Sequence, residues 1–199
     1  KMSKDYYIVP IFVPHFGCPH DCVFCNQKRI TGISTDVTQA YVKRTIDEYL
    51  ATFPKRKIVV EVAFYGGSFT GIPLDIQKKL LQVPLEYKNK GLIDAIRLST
   101  RPDYINETIL ELLKEYKVDT IELGVQSLND QVLFNSGRGH NSEQVYMASK
   151  LIKAYNFNLG LQMMLGLPGD SREKAIYTAK EFIKLKPYCV RIYPTLVIK

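Results

Sequence analysis

Six short apolar runs alternate with stretches of helical periodicity, and that alternation limits the fold more than any other feature of this chain. The runs Tyr6–Val13, Ile58–Tyr65, Ala95–Thr100, Thr120–Val125, Asn158–Met164 and Tyr188–Tyr193 are of strand length. Helical patterns fall between them, over Val37–Phe53, Leu74–Lys90, Asn106–Tyr116, Asp130–Asn135 with Ser142–Tyr155, and Ser171–Lys184. Glu143 puts an acid in the first turn behind Ser142, whereas Ser171 has Lys174 three residues on and so lacks a full capping box. Pro168 and Pro187 lie in the connections, where neither element should continue.

Strand–helix alternation of this kind implies a parallel sheet with helices packed outside it. Six units of roughly 30 residues use nearly all 199 residues, so the chain reads as one domain over 1–199, to which a longer native chain could add. An open doubly wound sheet and an incomplete barrel both satisfy the pattern, and both place chemistry at the C-terminal ends of the strands. A composition of 46% hydrophobic and 24% charged residues is ordinary for a globular protein, so disorder is not the default reading. No apolar stretch approaches the roughly 18 residues of a membrane span, and no secretory leader opens the sequence, so a cytoplasmic protein is expected, with no membrane partner. The net charge of +7 suits a phosphate-bearing substrate or a nucleic acid without deciding for either.

Three of the four cysteines, Cys18, Cys22 and Cys25, crowd into eight residues directly after the first strand. This C-x3-C-x2-C spacing lets three thiolates converge from one short loop. Iron–sulfur clusters usually take four thiolates, so three would leave one iron open to a small molecule, as catalytic metal sites keep one position open. A zinc site with His15 or His20 as fourth ligand is the competing reading, although structural zinc usually draws on two separated ligand pairs. Cys189, alone in an apolar-aromatic run, reads as a buried core thiol.

The second to fifth strands also end in unusual segments. The second ends in Tyr65-Gly66-Gly67-Ser68-Phe69-Thr70, and the third in Leu98-Ser99-Thr100-Arg101-Pro102-Asp103. The fourth carries Glu122-Leu123-Gly124-Val125-Gln126-Ser127, followed by Gly137-Arg138-Gly139-His140, and the fifth ends Gln162-Met163-Met164-Leu165-Gly166-Leu167-Pro168-Gly169. Taken singly these have ordinary readings. Gly66-Gly67 is a common turn, Arg138 a common surface charge, and Met163 and Met164 packing residues. The period-two set Glu122, Gly124 and Gln126 shares one face of its strand, and polar groups facing the interior of a parallel sheet need partners.

Together, and in this order from Tyr7 to Val197, the segments resemble the radical S-adenosylmethionine superfamily, in the subgroup of oxygen-independent coproporphyrinogen oxidase and the catalytic subunit of elongator. The resemblance implies an incomplete TIM-type α/β barrel of six βα units. It implies a 4Fe–4S cluster on Cys18, Cys22 and Cys25, with S-adenosylmethionine as second cofactor. The cofactor contacts it implies are Phe12, Phe24, Gly66, Gly67, Ser68, Ser99, Gln126, Arg138, Gln162 and Val197, with Gln126 and Arg138 on the ribose and methionine carboxylate. Ser68 stands where the family has Glu, and Ser99 and Gln162 where the porphyrin enzyme has acids.

Phe16, Tyr65, Arg101, Arg191 and Tyr193, near the cluster or the strand ends, are candidates for the substrate mouth, and aromatics with Arg suit a planar base. Compact relatives of this type point to a lyase that frees queuine from queuosine or its 5′-phosphate, with a flavodoxin or ferredoxin as low-potential electron donor. Radical modification of transfer RNA is the alternative, disfavoured by the lack of an acetyltransferase module and by the short cysteine spacing. A non-catalytic zinc or iron–sulfur module is the alternative of another class.

Overall fold

The computed structural model describes residues 5–13, 22–23 and 37–196. Six strands, β1 (Tyr6–Val13), β2 (Val59–Gly66), β3 (Ala95–Thr100), β4 (Thr120–Gln126), β5 (Asn158–Leu165) and β6 (Cys189–Pro194), pair in chain order. Every pair is parallel. The helices α1 (Gln39–Thr52), α2 (Leu74–Asn89), α3 (Glu107–Glu115), α4 (Asp130–Asn135), α5 (Ser142–Ala154) and α6 (Arg172–Leu185) lie between the strands. Doubly wound order reverses direction at a switch point, and this sheet never reverses, so the incomplete barrel is the architecture.

A side-chain contact shows how far the sheet curls. β2 and β6 are four strand spacings apart, about 19 Å in a flat sheet. Yet the guanidinium of Arg191 on β6 lies 4.6 Å from the ring centroid of Tyr65 on β2. The result is a half-barrel with helices around it.

Pairing registers divide the strands into two faces. Val9, Ile11, Val62, Phe64, Ile96, Leu98, Ile121, Leu123, Leu159 and Leu161 point outward and are buried beneath Val42, Ile46, Leu80, Leu110, Leu113, Val145, Ile152 and Phe182 of the helices. Each such side chain contributes about 1.5–3 kcal/mol by leaving water. The other face carries Glu61, Arg97, Ser99, Glu122, Gly124, Gln162, Cys189 and Arg191 into the barrel interior.

Local chemistry sets the element ends. Asn106, Asn129 and Ser171 cap α3, α4 and α6 through their side-chain oxygens. The cap of α5 is Asn141 in a reciprocal capping box with Gln144, and Ser142 is already helical. Helices leave toward the next strand through left-handed residues, Gly91, Lys117, Asn156 and Lys186. At the N-terminal rim, Asp94 accepts from Val60 N at 2.7 Å and Asp119 from Ile96 N at 2.7 Å, which pins one strand start to its neighbour.

Candidate active site at the C-terminal ends of the strands

The exits of the first three strands are tied together. Gly66 has φ +107°, and a Cβ there would lie 2.5 Å from the carbonyl oxygen of Val13, the last residue before the cysteine segment. Gly67 N donates to that same carbonyl at 3.0 Å. Only glycine meets both demands at residue 66. Ser68 is 2% exposed. Its hydroxyl lies 2.8 Å from Thr100 Oγ1 and accepts from Arg101 N at 3.3 Å. The serine at the family's glutamate position therefore serves as a brace between β2 and β3.

Arg101, expected at the mouth, is 2% exposed. Asp103 holds its guanidinium in a fork, with Nε and Nη2 each 2.9 Å from a carboxylate oxygen. The sequence reading placed it among substrate groups because it follows a strand end. This pairing clamps the β3 exit, and the remaining Nη1 is buried without a hydrogen-bond partner among the described residues.

Next to this brace lies a cradle of incompletely satisfied polar groups. Ser99 Oγ and Gln126 Oε1 are buried and have no hydrogen-bond partner among the described residues. Gln126 ends β4 at a bulge with φ +74°, a left-handed conformation uncommon outside glycine. Arg138 is buried, donates to the carbonyl of Gly124, and places Nη1 3.7 Å from Cys22 Sγ. A Cβ on Gly124 would lie 2.8 Å from Arg138 Nη2, so the glycine makes room for the guanidinium. His140 is buried behind Arg138 and Arg101; burial first, then these two charges, lower its pKa to about 3. Cys22 is itself 5% exposed, and Val23 N bonds to Ser136 O at 3.2 Å, which docks this part of the cysteine segment on the end of α4.

A chain of ionic contacts crosses the interior below the cradle. Arg97 pairs with Glu61 at 2.8 Å and with Glu122 at 3.1 Å, and Glu122 pairs with Arg191 at 2.8 Å. Gln162 donates to the same Glu122. Burial disfavours the charge of Arg97, but its neighbours, Glu61 foremost, more than offset this and raise its pKa above the ordinary value. Gly160 leaves room for this network: a Cβ would sit 3.0 Å from Glu122 Cγ and 3.2 Å from Cys189 Sγ, so both side chains would have to shift. Cys189 is half-buried on this polar face, 3.5 Å from Arg97 Nη1, and does not belong to the aliphatic core. Burial raises the pKa of its thiol.

The expected site residues thus fall into three groups. Gly66, Gly67, Ser68, Ser99, Gln126 and Arg138 gather at the exits of β2, β3 and β4. Phe12, Tyr65, Arg191 and Tyr193 gather across the mouth: Phe12 and Tyr65 rings are 6.5 Å apart, and Arg191 lies over Tyr65 and, at 5.5 Å, Tyr193. Gln162 pairs in register with Gly124 and gives its amide nitrogen to Glu122. Cys18, Cys25, Phe16, Phe24 and Val197 lie outside the described residues. Sequence reasoning missed the Glu61–Arg97 pair, although a charge at an alternate position in each of two apolar strands was a visible signal.

A curled half-barrel whose polar inner face opens into an arginine- and glutamine-lined cradle beside a cysteine segment defines a βα-barrel cofactor enzyme. The chain belongs to the radical SAM superfamily: the family model matches residues 12–182. A 4Fe–4S cluster and S-adenosylmethionine are the cofactors of that superfamily. The chain is similar to the tRNA uridine(34) acetyltransferase of Methanocaldococcus infernus, with 29% identity over 96% of this chain and 43% of that protein. Its fold is similar to M. infernus Elp3, with TM-score 0.74, 22% identity, and coverage of 98% of this chain and 47% of that one. It is also similar to Escherichia coli coproporphyrinogen III oxidase HemN, with TM-score 0.66, 17% identity, and coverage of 98% and 44%. The chain spans 43–64% of the length of the curated relatives it matches first. Among the described residues no helix is long and apolar enough to cross a membrane.

Proposed function

We propose that this chain holds a 4Fe–4S cluster on Cys18, Cys22 and Cys25 and directs radical chemistry at a nucleoside of transfer RNA. The observation that carries the cofactor part is the cradle. Buried Gln126 Oε1 and Ser99 Oγ lack partners among the described residues, and Arg138 beside them touches a cysteine of the motif. These groups fit a small zwitterion with a sugar: the guanidinium answers a carboxylate, and the amide and hydroxyl oxygens can accept from ribose hydroxyls. When bound, the cluster supplies the electron that splits the sulfonium of S-adenosylmethionine and yields a 5′-deoxyadenosyl radical. The protein's part is to fix the cofactor, shield it and aim it. Tyr65, Arg191 and Tyr193 would face the substrate. A flavodoxin- or ferredoxin-like donor would supply the electron.

The relatives described above favour transfer RNA and give no support to queuine release or to a lyase assignment. The match covers 43% of those proteins, so their acetyltransferase activity bears neither for nor against transfer RNA as the substrate here. The test is anaerobic reconstitution followed by reduction with dithionite. About four irons and four sulfides per chain are expected, together with methionine and 5′-deoxyadenosine from the cofactor. Alanine at Cys18, Cys22 or Cys25 should abolish both, and Cys189→Ala should not. Zinc without iron or sulfide would overturn the proposal.

A further inference from the structure

The pairing register places Gly124, Gln162 and Arg191 in one row across β4, β5 and β6. Gly124 is the residue against which Arg138 rests, so whatever meets Arg191 lies beside the cofactor cradle. Arg191 is held on three sides. Glu122 takes Nη1, Tyr65 lies against it from across the barrel, and Tyr193 from its own strand. Its side chain is still 32% exposed. An arginine offers donors only, so the matching edge of a ligand must present acceptors. The flanking rings, with Phe12 58% exposed beside Tyr65, restrict that ligand to a flat shape.

Charge decides between the two kinds of acceptor a nucleotide carries. The chain Glu61–Arg97–Glu122–Arg191 holds two carboxylates and two guanidiniums in alternation, so its formal charge cancels. A phosphate brought here would meet no net positive charge from these four groups and would compete with Glu122 for Arg191. A carbonyl adds an acceptor and leaves the ion pairs intact.

We propose that the Arg191 side of the barrel mouth is the receptor for an uncharged, planar, carbonyl-edged group of the substrate, with Arg191 contacting it and Glu122 setting the charge of the receptor. This rests on the radical reading above and narrows its substrate to a base edge rather than a phosphate. Glu122 is a positioning residue: it is fully buried and touches the ligand only through Arg191 and Gln162.

The test uses cluster-loaded protein with S-adenosylmethionine, anaerobically, with uridine, uridine 5′-phosphate and inorganic phosphate as probes in calorimetry. Uridine and its 5′-phosphate should bind within about threefold of each other, because a base contact is common to both. Inorganic phosphate should not compete with uridine. Arg191→Met should weaken uridine about tenfold, the loss of one hydrogen bond to a charged group, and Arg191→Lys should recover only part of it. Glu122→Gln keeps the shape but unmasks Arg191, and should make the 5′-phosphate bind about tenfold tighter than uridine. The thermal midpoint of each variant reports folding, and if Glu122→Gln does not fold, the Arg191 pair decides alone. Competition by phosphate in the unaltered protein, or unchanged uridine binding in Arg191→Met, would overturn the inference. If the cofactor is cleaved but uridine does not bind, the Arg191 assignment fails and the radical reading stands. If the cofactor is not cleaved, the radical reading itself fails.

Discussion

Cys22 Sγ lies 3.7 Å from Arg138 Nη1, so a residue of the cysteine motif and the arginine of the polar cradle are in direct contact. The same arginine donates to Gly124 O through its other terminal nitrogen. Arg138 therefore bridges the cysteine segment to the fourth strand. Arg138→Ala should weaken S-adenosylmethionine by about 1.5–3 kcal/mol, roughly ten- to a hundredfold. Arg138→Lys should recover little, because one ammonium cannot reach both partners in the arginine geometry. Equilibrium binding to the reconstituted protein, with iron content measured in parallel, checks this.

Two glycines separate folding from cofactor binding. Gly66→Ala meets the Val13 carbonyl at 2.5 Å and demands a φ of +107°, so it should destabilise the whole domain by about 1–3 kcal/mol in urea unfolding. Gly124→Ala has no such backbone conflict, and its Cβ would meet the flexible end of Arg138 at 2.8 Å. It should displace that guanidinium and lower cofactor affinity at least about tenfold, with a much smaller change in the unfolding midpoint. Equal losses of stability in the two variants would refute this division.

The ionic chain in the interior makes a stability prediction that a pairwise view would miss. Arg97→Met leaves Glu61 fully buried without its guanidinium partner and removes one of the partners of Glu122, and should cost about 3–5 kcal/mol. The double variant Glu61→Leu with Arg97→Met removes the stranded charge and should recover most of that loss. Urea unfolding of the two single variants and the double variant measures the coupling.

The fold was legible in the sequence because the outward face of each strand is aliphatic and the helices between them are amphipathic. Strand ends such as Ala95 and Thr100 coincide with the observed limits of β3. Barrel and doubly wound sheet could not be separated from the residues alone, since the two differ in strand order and not in element pattern. The cradle was legible through Gln126 and Arg138, which follow glycine-containing segments at a strand end. The protein partners of Arg101 and Gln162 were not, because they come from contacts that a linear pattern does not show. Asp103 and Glu122 supply those partners. The capping of α5 by Asn141 rather than Ser142 was a matter of one residue, decided by which side chain reaches Gln144 N.

His140 gives the domain a defined acid sensitivity. It is 6% exposed, and burial, followed by the charges of Arg138 and Arg101, lowers its pKa from 6.5 to about 3. In the unfolded chain the imidazole takes up a proton near its ordinary pKa, while in the folded protein it stays neutral. Between those two values the unfolded state binds the extra proton, so stability is full above pH 6.5 and falls as the pH drops. The slope approaches about 1.4 kcal/mol per pH unit, or about 2 kcal/mol by pH 5. His140→Asn removes the titrating group, so its unfolding free energy should depend less on pH by that amount, even if it starts lower at pH 7. Urea unfolding of both proteins at pH 7, 6 and 5 measures the difference of slopes. Parallel slopes would mean that His140 titrates in the folded barrel as it does in the unfolded chain, in spite of the two guanidiniums beside it.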